Sequence, residues 1–338
     1  MANAGVWRRI GSRRRFRYVD ARGNPIADPA KLARIESLRI PPAWRDVRIS
    51  PRAGAKLQAT GLDAASRRQY LYHAEFRAAQ EQAKFDKLIR FAERLPELRA
   101  AMSEHMELGT YELDRIAAVA VRLINMGWFR VGSERYVRES RTYGITTLTK
   151  RHVSVRGSRI AFKFRGKHSV LVRTQLVDSE LADAVRDLLA LPGGGRLFRY
   201  ELDGEVFNLT GARLNTYMRT HLGEEFTAKD FRTWGGTLIA AVGLAERGTT
   251  DHVPEAKRRV AAVMRVVARR LGNTPAVARS SYVSPAVVEQ YLEGRTIDDF
   301  RPRHLRIVGA RDISLDAEEQ AALSLLRSWR IRRVRAAA

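Results

Sequence analysis

Near residue 74 the chain changes its hydrophobic rhythm from every second residue to every third or fourth, and few architectures accommodate both halves of such a sequence. Before that point the segments are short. Residues 14–20, 47–50, 57–60 and 69–73 alternate as strands, separated by the turn-forming stretches 21–25, 51–54 and 61–64. Asp28 is placed to cap a short helix beginning DPAKL. Beyond residue 74, Phe76, Phe85, Leu88, Ile89 and Phe91 fall on one helical face in a segment expected to end near Leu95 and Pro96. A second helix is expected over 110–126, capped by Thr110, with Glu112 in its first turn and Ile116, Val119, Val121, Leu123 and Ile124 buried. Between 146 and 172 strand character returns, and 160–164 and 169–172 flank a hairpin tip at 165–168. Helices resume over 178–191, 208–222, 228–246, 254–271, 285–291 and 315–335. The expected fold is therefore α+β: a small β-rich N-terminal domain over 1–85 and a mainly α-helical domain with a β-hairpin over 86–338.

Charge narrows the function. Lys plus Arg number 61 against 37 Asp plus Glu, a net +24 in 338 residues, which favours a polyanionic partner. Nucleic acid comes first and an anionic membrane surface second. No run of eighteen or more apolar residues exists, and residues 1–15 are basic with no apolar stretch behind them, so no membrane association is expected and the location is taken as cytoplasmic. With no cysteine, and seven histidines in no ligand spacing, the sequence offers no metal site. Neither a phosphate loop nor a dinucleotide fingerprint occurs, which argues against ATP-driven work.

Several stretches combine cations with residues that allow close backbone approach. GWFRVGSERY (127–136) precedes TYGITTLT (142–149), and FRGKH (164–168) makes the hairpin tip cationic, equally suited to probing a DNA groove and to solubilising a surface turn. AKDFRTW (228–234) opens one helix. LGNTPAVARSSYVSP (271–285) ends a basic helix at Gly272 and starts another at Ser284, leaving Tyr282 at a junction. A lone tyrosine there is more often a half-buried packing residue with its hydroxyl satisfied by a neighbour. In the β-rich part stand IPPAWRDV (40–47) and QYLY (69–72), whose Tyr70 and Tyr72 share a strand face. Together and in this order, from about residue 34 to 295, these stretches resemble the small type IB DNA topoisomerases of bacteria and poxviruses.

The resemblance implies a fold like that of type IB topoisomerases and tyrosine recombinases, and a reaction in which Tyr282 attacks one DNA strand. Tyrosine suits the step because a phenol of pKa about 10 can be activated and still leaves when the DNA hydroxyl attacks in reverse. Arg130 and Arg232 would clamp the phosphate with planar, permanently charged forks. Lys167, in the hairpin tip, would protonate the departing 5′ oxygen, a task for which arginine holds its proton too tightly. Asn273 stands where the poxvirus and eukaryotic pattern has histidine; it can donate a hydrogen bond to the phosphate but brings no charge. Tyr136 and Lys229 are implied as phosphate contacts, and Gly132 as the place where backbone approaches the phosphate closely. Gln69, Tyr70 and Tyr72 are implied to line the major groove, with aromatic packing as the competing reading for the tyrosines. The partner would be double-stranded DNA, bound by a nucleoid-associated monomer that needs no cofactor and no ATP, with Mg2+ as a stimulant at most. Two rivals remain at this stage: a tyrosine site-specific recombinase, and a non-enzymatic basic DNA-binding protein, for which the net charge would suffice.

Overall fold

In the computed structural model, which describes residues 5–12, 15–301 and 314–337, the chain divides between Phe85 and Asp86 into two compact units. The first holds β1 (Trp7–Ser12), β2 (Arg15–Val19), α1 (Pro29–Ser37), β3 (Arg45–Ile49), β4 (Leu57–Leu62) and β5 (Arg68–Tyr72). Its sheet has the order β2-β1-β3-β4-β5 with every neighbouring pair antiparallel. Trp7, Ile35, Val47, Ile49 and Ala59 form the core between sheet and helix. Asp28 caps α1 as expected, its carboxylate accepting from the Ala30 amide at 2.9 Å. Arg14, the first residue of one expected strand, lies outside the described residues.

Strand β1 was not expected, because its arginines disguise it. Arg9 donates to the carbonyls of Trp44 at 2.6 Å and Pro41 at 3.2 Å and lies 4.1 Å from the Phe16 ring centroid, so a residue that reads as solvent-facing is tied into the unit. The same bonds explain IPPAW. Trp44 rests on Gly61 of β4, where a Cβ would stand 2.8 Å from the indole, so this motif is packing within the sheet unit.

The second unit continues α2 (Ala74–His105) and adds α3 (Leu113–Gly127), α4 (Glu134–Ser140), β6 (Val153–Arg156), β7 (Arg159–Arg165), β8 (Leu171–Val177) and α5 (Ser179–Ala190). There follow β9 (Arg199–Leu202), β10 (Glu205–Asn208), α6 (Gly211–Leu222), α7 (Ala228–Ala245), α8 (Val253–Leu271), α9 (Pro275–Ser281), α10 (Pro285–Leu292) and α11 (Ala317–Ala337). Helix α3 is its centre: Ile116, Val119, Val121, Leu123 and Ile124 are all fully buried, as the pattern predicts. Among the described residues no helix is long and apolar enough to cross a membrane.

Four expectations change here. Helix α2 does not stop at Pro96 but runs through it to His105. An interior proline costs about 3 kcal/mol, whereas burying Leu98 and Met102 on the continuing face contributes about 1.5 to 3 kcal/mol each. Helix α3 starts at Leu113 with Glu112 as its cap residue, not Thr110, whose carbonyl instead accepts from Arg115 at 3.2 Å. The hairpin tip spans 166–170, because His168 and Ser169 both adopt left-handed backbone (φ 60° and 59°) and β8 pairs only from Leu171. Finally, β9 and β10 form a hairpin absent from the expectation, although Asp203 and Gly204, both at positive φ, are the residues such a two-residue turn requires.

The last helix locks others together. Glu319, buried in α11, accepts from both terminal nitrogens of Arg99 (2.7 and 2.8 Å) and from the Trp234 indole at 3.1 Å. Farther along, the Leu325 carbonyl accepts from Gln290 at 2.7 Å and the Trp329 indole donates to Glu289 at 2.7 Å. Helices α2, α7 and α10 are thus held by one element.

Candidate active site

Arg130 is aimed by a reversal at the end of α3. Trp128 takes left-handed backbone (φ 51°), and the missing side chain of Gly127 leaves room for Phe129, whose ring would lie 2.4 Å from a Cβ there. Phe129 then packs on Phe162 of β7 at 4.9 Å between centroids. The next residues are braced by TYGITTLT: the carbonyls of Arg130 and Val131 accept from the amides of Ile145 and Thr146, each at 2.8 Å. Gly132, at φ 102°, would drive a Cβ to 2.7 Å from the Thr147 hydroxyl, and one on Gly144 would stand 2.5 Å from the Arg130 carbonyl oxygen. Gly132 therefore serves the approach of one chain segment to another.

The two guanidiniums meet at the C-terminus of α8. Carbonyls of a helix's last turn lack partners within the helix and carry its negative dipole end, so they attract cations. Arg232 donates to the carbonyls of Leu271 at 2.6 Å and Trp128 at 2.5 Å. Arg130 donates to the Asn273 side-chain oxygen at 2.7 Å and reaches the Leu271 and Gly272 carbonyls at 3.5 Å. Gly272, left-handed at φ 59°, turns the chain from α8 towards α9. Thr274 caps α9 and Pro275 begins it, a short helix not anticipated from sequence, and Tyr282 closes it.

Tyr282 lies with its ring centroid 5.1 Å from the Arg232 guanidinium carbon. Burial alone would push the phenol up, but the charges of Arg232, Arg130 and Lys229 outweigh it and hold the phenol below the ordinary tyrosine value of 10. Burial, reinforced by the nearby charge of Arg130, pushes the Arg232 guanidinium down to about 10, still protonated at neutral pH. Two buried donors, Arg232 Nε and Asn273 Nδ2, have no acceptor among the described residues.

Beside this cluster runs a groove of about 620 Å³ whose charged lining residues are Arg130, Lys167, Arg173, Arg232, Arg269 and Arg270, with no carboxylate among them. The structure therefore brings Arg130, Lys167 and Arg232 to one groove, and Tyr282 and Asn273 adjoin it through Arg232 and Arg130. Lys167 is exposed on the hairpin tip, and its amine makes no hydrogen bond or ion pair with any described residue. Lys229 is exposed in the first turn of α7. Tyr136, 51% exposed on α4, is not part of the lining.

In the first unit, Tyr70 and Tyr72 are both exposed and stack at 6.3 Å along one face of β5, and Gln69 donates to Asp63 at 2.8 Å. Sequence reasoning missed the glycines of α7. A Cβ on Gly235 would meet the Trp128 indole at 2.2 Å, and one on Gly236 the Tyr282 carbonyl oxygen at 2.5 Å, so this pair admits two neighbours to the helix surface. The signal was available: adjacent glycines within an otherwise strong helical pattern, which lower helix propensity for a reason that must be sought in packing.

Residues 73–298 match the family model described as eukaryotic DNA topoisomerase I, catalytic core, and residues 15–63 the one described as bacterial DNA topoisomerase IB, N-terminal domain. A DNA topoisomerase 1B of Acanthamoeba polyphaga mimivirus is 31% identical over 85% of this chain and 87% of its own length. The chain belongs to the type IB DNA topoisomerase family. A DNA topoisomerase 1B of vaccinia virus (strain Copenhagen) is 22% identical over 81% of this chain and 87% of its own, and a DNA topoisomerase 1 of rabbit fibroma virus (strain Kasza) 23% over 70% and 72%. Membership among the type IB topoisomerases makes the chain an enzyme acting on DNA, and the recombinase and purely architectural readings give way to it. The matched catalytic core of this topoisomerase ends before α11 begins.

Proposed function

We propose that this topoisomerase relaxes supercoiled DNA through a transient 3′-phosphotyrosyl bond formed by Tyr282. The phenol loses its proton to water and its oxygen attacks the phosphorus; the P–O bond to the 5′ carbon side breaks, and Lys167 hands a proton to the departing 5′ oxygen. Arg130 and Arg232 neutralise the non-bridging oxygens, with Arg232 Nε and Asn273 Nδ2 as donors to them. The duplex beyond the break rotates, and the freed 5′-hydroxyl reverses the attack. Because the phosphotyrosyl bond conserves the energy of the broken one, the cycle needs no ATP; Arg130 and Arg232 supply the charge at the phosphate that a metal would otherwise bring, and Mg2+ acts at most as a stimulant.

The observation that carries this reading is the convergence of two guanidiniums and two unpaired buried donors beside a phenol whose proton is loosened by those same charges. Lys229 and Tyr136 would contact flanking phosphates. Gln69, Tyr70 and Tyr72 would face the major groove of a double-stranded substrate, a role the exposed tyrosine stack supports. The enzyme would act as a cytoplasmic, nucleoid-associated monomer. With supercoiled plasmid, EDTA and no nucleotide, the native chain should relax the DNA, and denaturation during turnover should trap an adduct on the peptide containing Tyr282. No relaxation, or an adduct on another residue, overturns the proposal.

Lys167 has its own test. Lys167→Ala should slow cleavage by about 10²-fold on an ordinary 5′-oxygen substrate, and much less where the leaving group is a weaker base, such as a 5′-thiolate. Equal slowing on both removes it as the acid.

A further inference from the structure

We infer that Thr237 is a positioning residue that sets the aim of the Tyr282 phenol, an inference that rests on Tyr282 being the nucleophile. Thr237 is fully buried in α7, immediately after the glycine against which Tyr282 lies. A Cβ on Gly236 would stand 2.5 Å from the Tyr282 carbonyl oxygen and 3.1 Å from its Cβ, so the α7 backbone and residue 282 touch with nothing between them. A threonine inside a helix ordinarily returns its hydroxyl to the carbonyl one turn back. The Thr237 hydroxyl instead leaves its helix: it donates to the Tyr282 carbonyl at 3.4 Å and accepts from the Ser284 amide at 3.1 Å.

Those two bonds act where helical geometry ends. Tyr282 adopts φ −131° and ψ −7°, outside α9 proper, and its amide donates to the Ala278 carbonyl at 3.0 Å. The helix bond therefore holds one side of the residue and Thr237 the other. Arg232 belongs to the same helix as Thr237, so one rigid element carries both the guanidinium beside the phenol and the hydroxyl that grips its backbone. A reacting group misplaced by an ångström can lose about 10²-fold in rate. Thr237 thus fixes the separation of nucleophile and phosphate clamp without touching the DNA.

The test is single-turnover cleavage of a nicked duplex, with religation measured separately, by the full native chain, Thr237→Val and Thr237→Ser. Thr237→Val removes the hydroxyl at nearly constant volume and should slow cleavage and religation by the same factor, about 10- to 100-fold, with the fraction of protein able to react unchanged. Thr237→Ser, which keeps the hydroxyl, should stay within about threefold of native on the same argument. A Thr237→Val chain that cleaves at the native rate overturns the inference, as does a smaller reactive fraction at native rate, which marks a folding role. So does a Thr237→Ser chain as slow as Thr237→Val, which assigns the effect to the lost methyl. If the native chain forms no Tyr282 adduct, the nucleophile itself is misassigned, a result separable from all of these.

Discussion

Tyr282→Phe should leave supercoiled plasmid unrelaxed, a loss of about 10⁴-fold or more, because removal of a covalent nucleophile leaves only what binding and charge stabilisation can do. The ring keeps its place through its face contact with Arg232 and the Thr237 bond to its backbone carbonyl, and only the interaction of the phenol oxygen with the two guanidiniums is lost. DNA binding should accordingly stay near native, with the same decline as salt rises, since that term comes from phosphate neutralisation by the basic surface. Relaxation at the native rate by the phenylalanine chain defeats the assignment. Weakened DNA binding in parallel with lost relaxation would assign the tyrosine to substrate capture instead.

Arg232→Ala should slow cleavage by about 10³-fold, the upper part of the range for a fixed donor to a developing charge. Two further effects separate this residue from an ordinary surface cation. Its nitrogens satisfy the Trp128 and Leu271 carbonyls, so their loss should also lower the thermal midpoint, each charged hydrogen bond being worth about 1.5 to 3 kcal/mol. The phenol also loses the largest charge holding it down while its burial persists, so its titration must move upward. The rising limb of the pH–rate profile for cleavage should therefore shift to higher pH in Arg232→Ala. Arg232→Lys should recover part of the charge effect but not the stability, because an ammonium cannot meet two carbonyls and a phosphate in the geometry of the planar fork. An unshifted profile in the alanine chain excludes Arg232 as the group that tunes the phenol.

Much of this site could be read from residue types, because the chemistry selects them strongly. A lysine in a glycine hairpin, an arginine in a capped helix start and a tyrosine between two helices each have a local signature. What escaped reading depends on partners remote in sequence. Gly132 was legible as a glycine allowing close approach to the backbone, but not that Gly144 and Thr147 would pack against it. Asn273 was legible as a donor; that its oxygen faces Arg130, leaving its nitrogen as the unpaired end, needed a residue 143 positions away. Strand β1 failed for the same reason, since Arg9 looks exposed until the carbonyls of Pro41 and Trp44 arrive. Pro96 failed differently: a local rule was right about the cost and blind to the buried face that exceeds it.

Helix α11 gives the molecule an order of completion during its own biosynthesis. Arg99 and Trp234 leave the ribosome well before residue 319, and until that carboxylate arrives one has no buried counter-ion there and the other no acceptor. The helix that follows the nucleophile waits likewise for Leu325 and Trp329. A nascent chain can thus carry every reactive side chain named above while the scaffold that immobilises them is still unfinished.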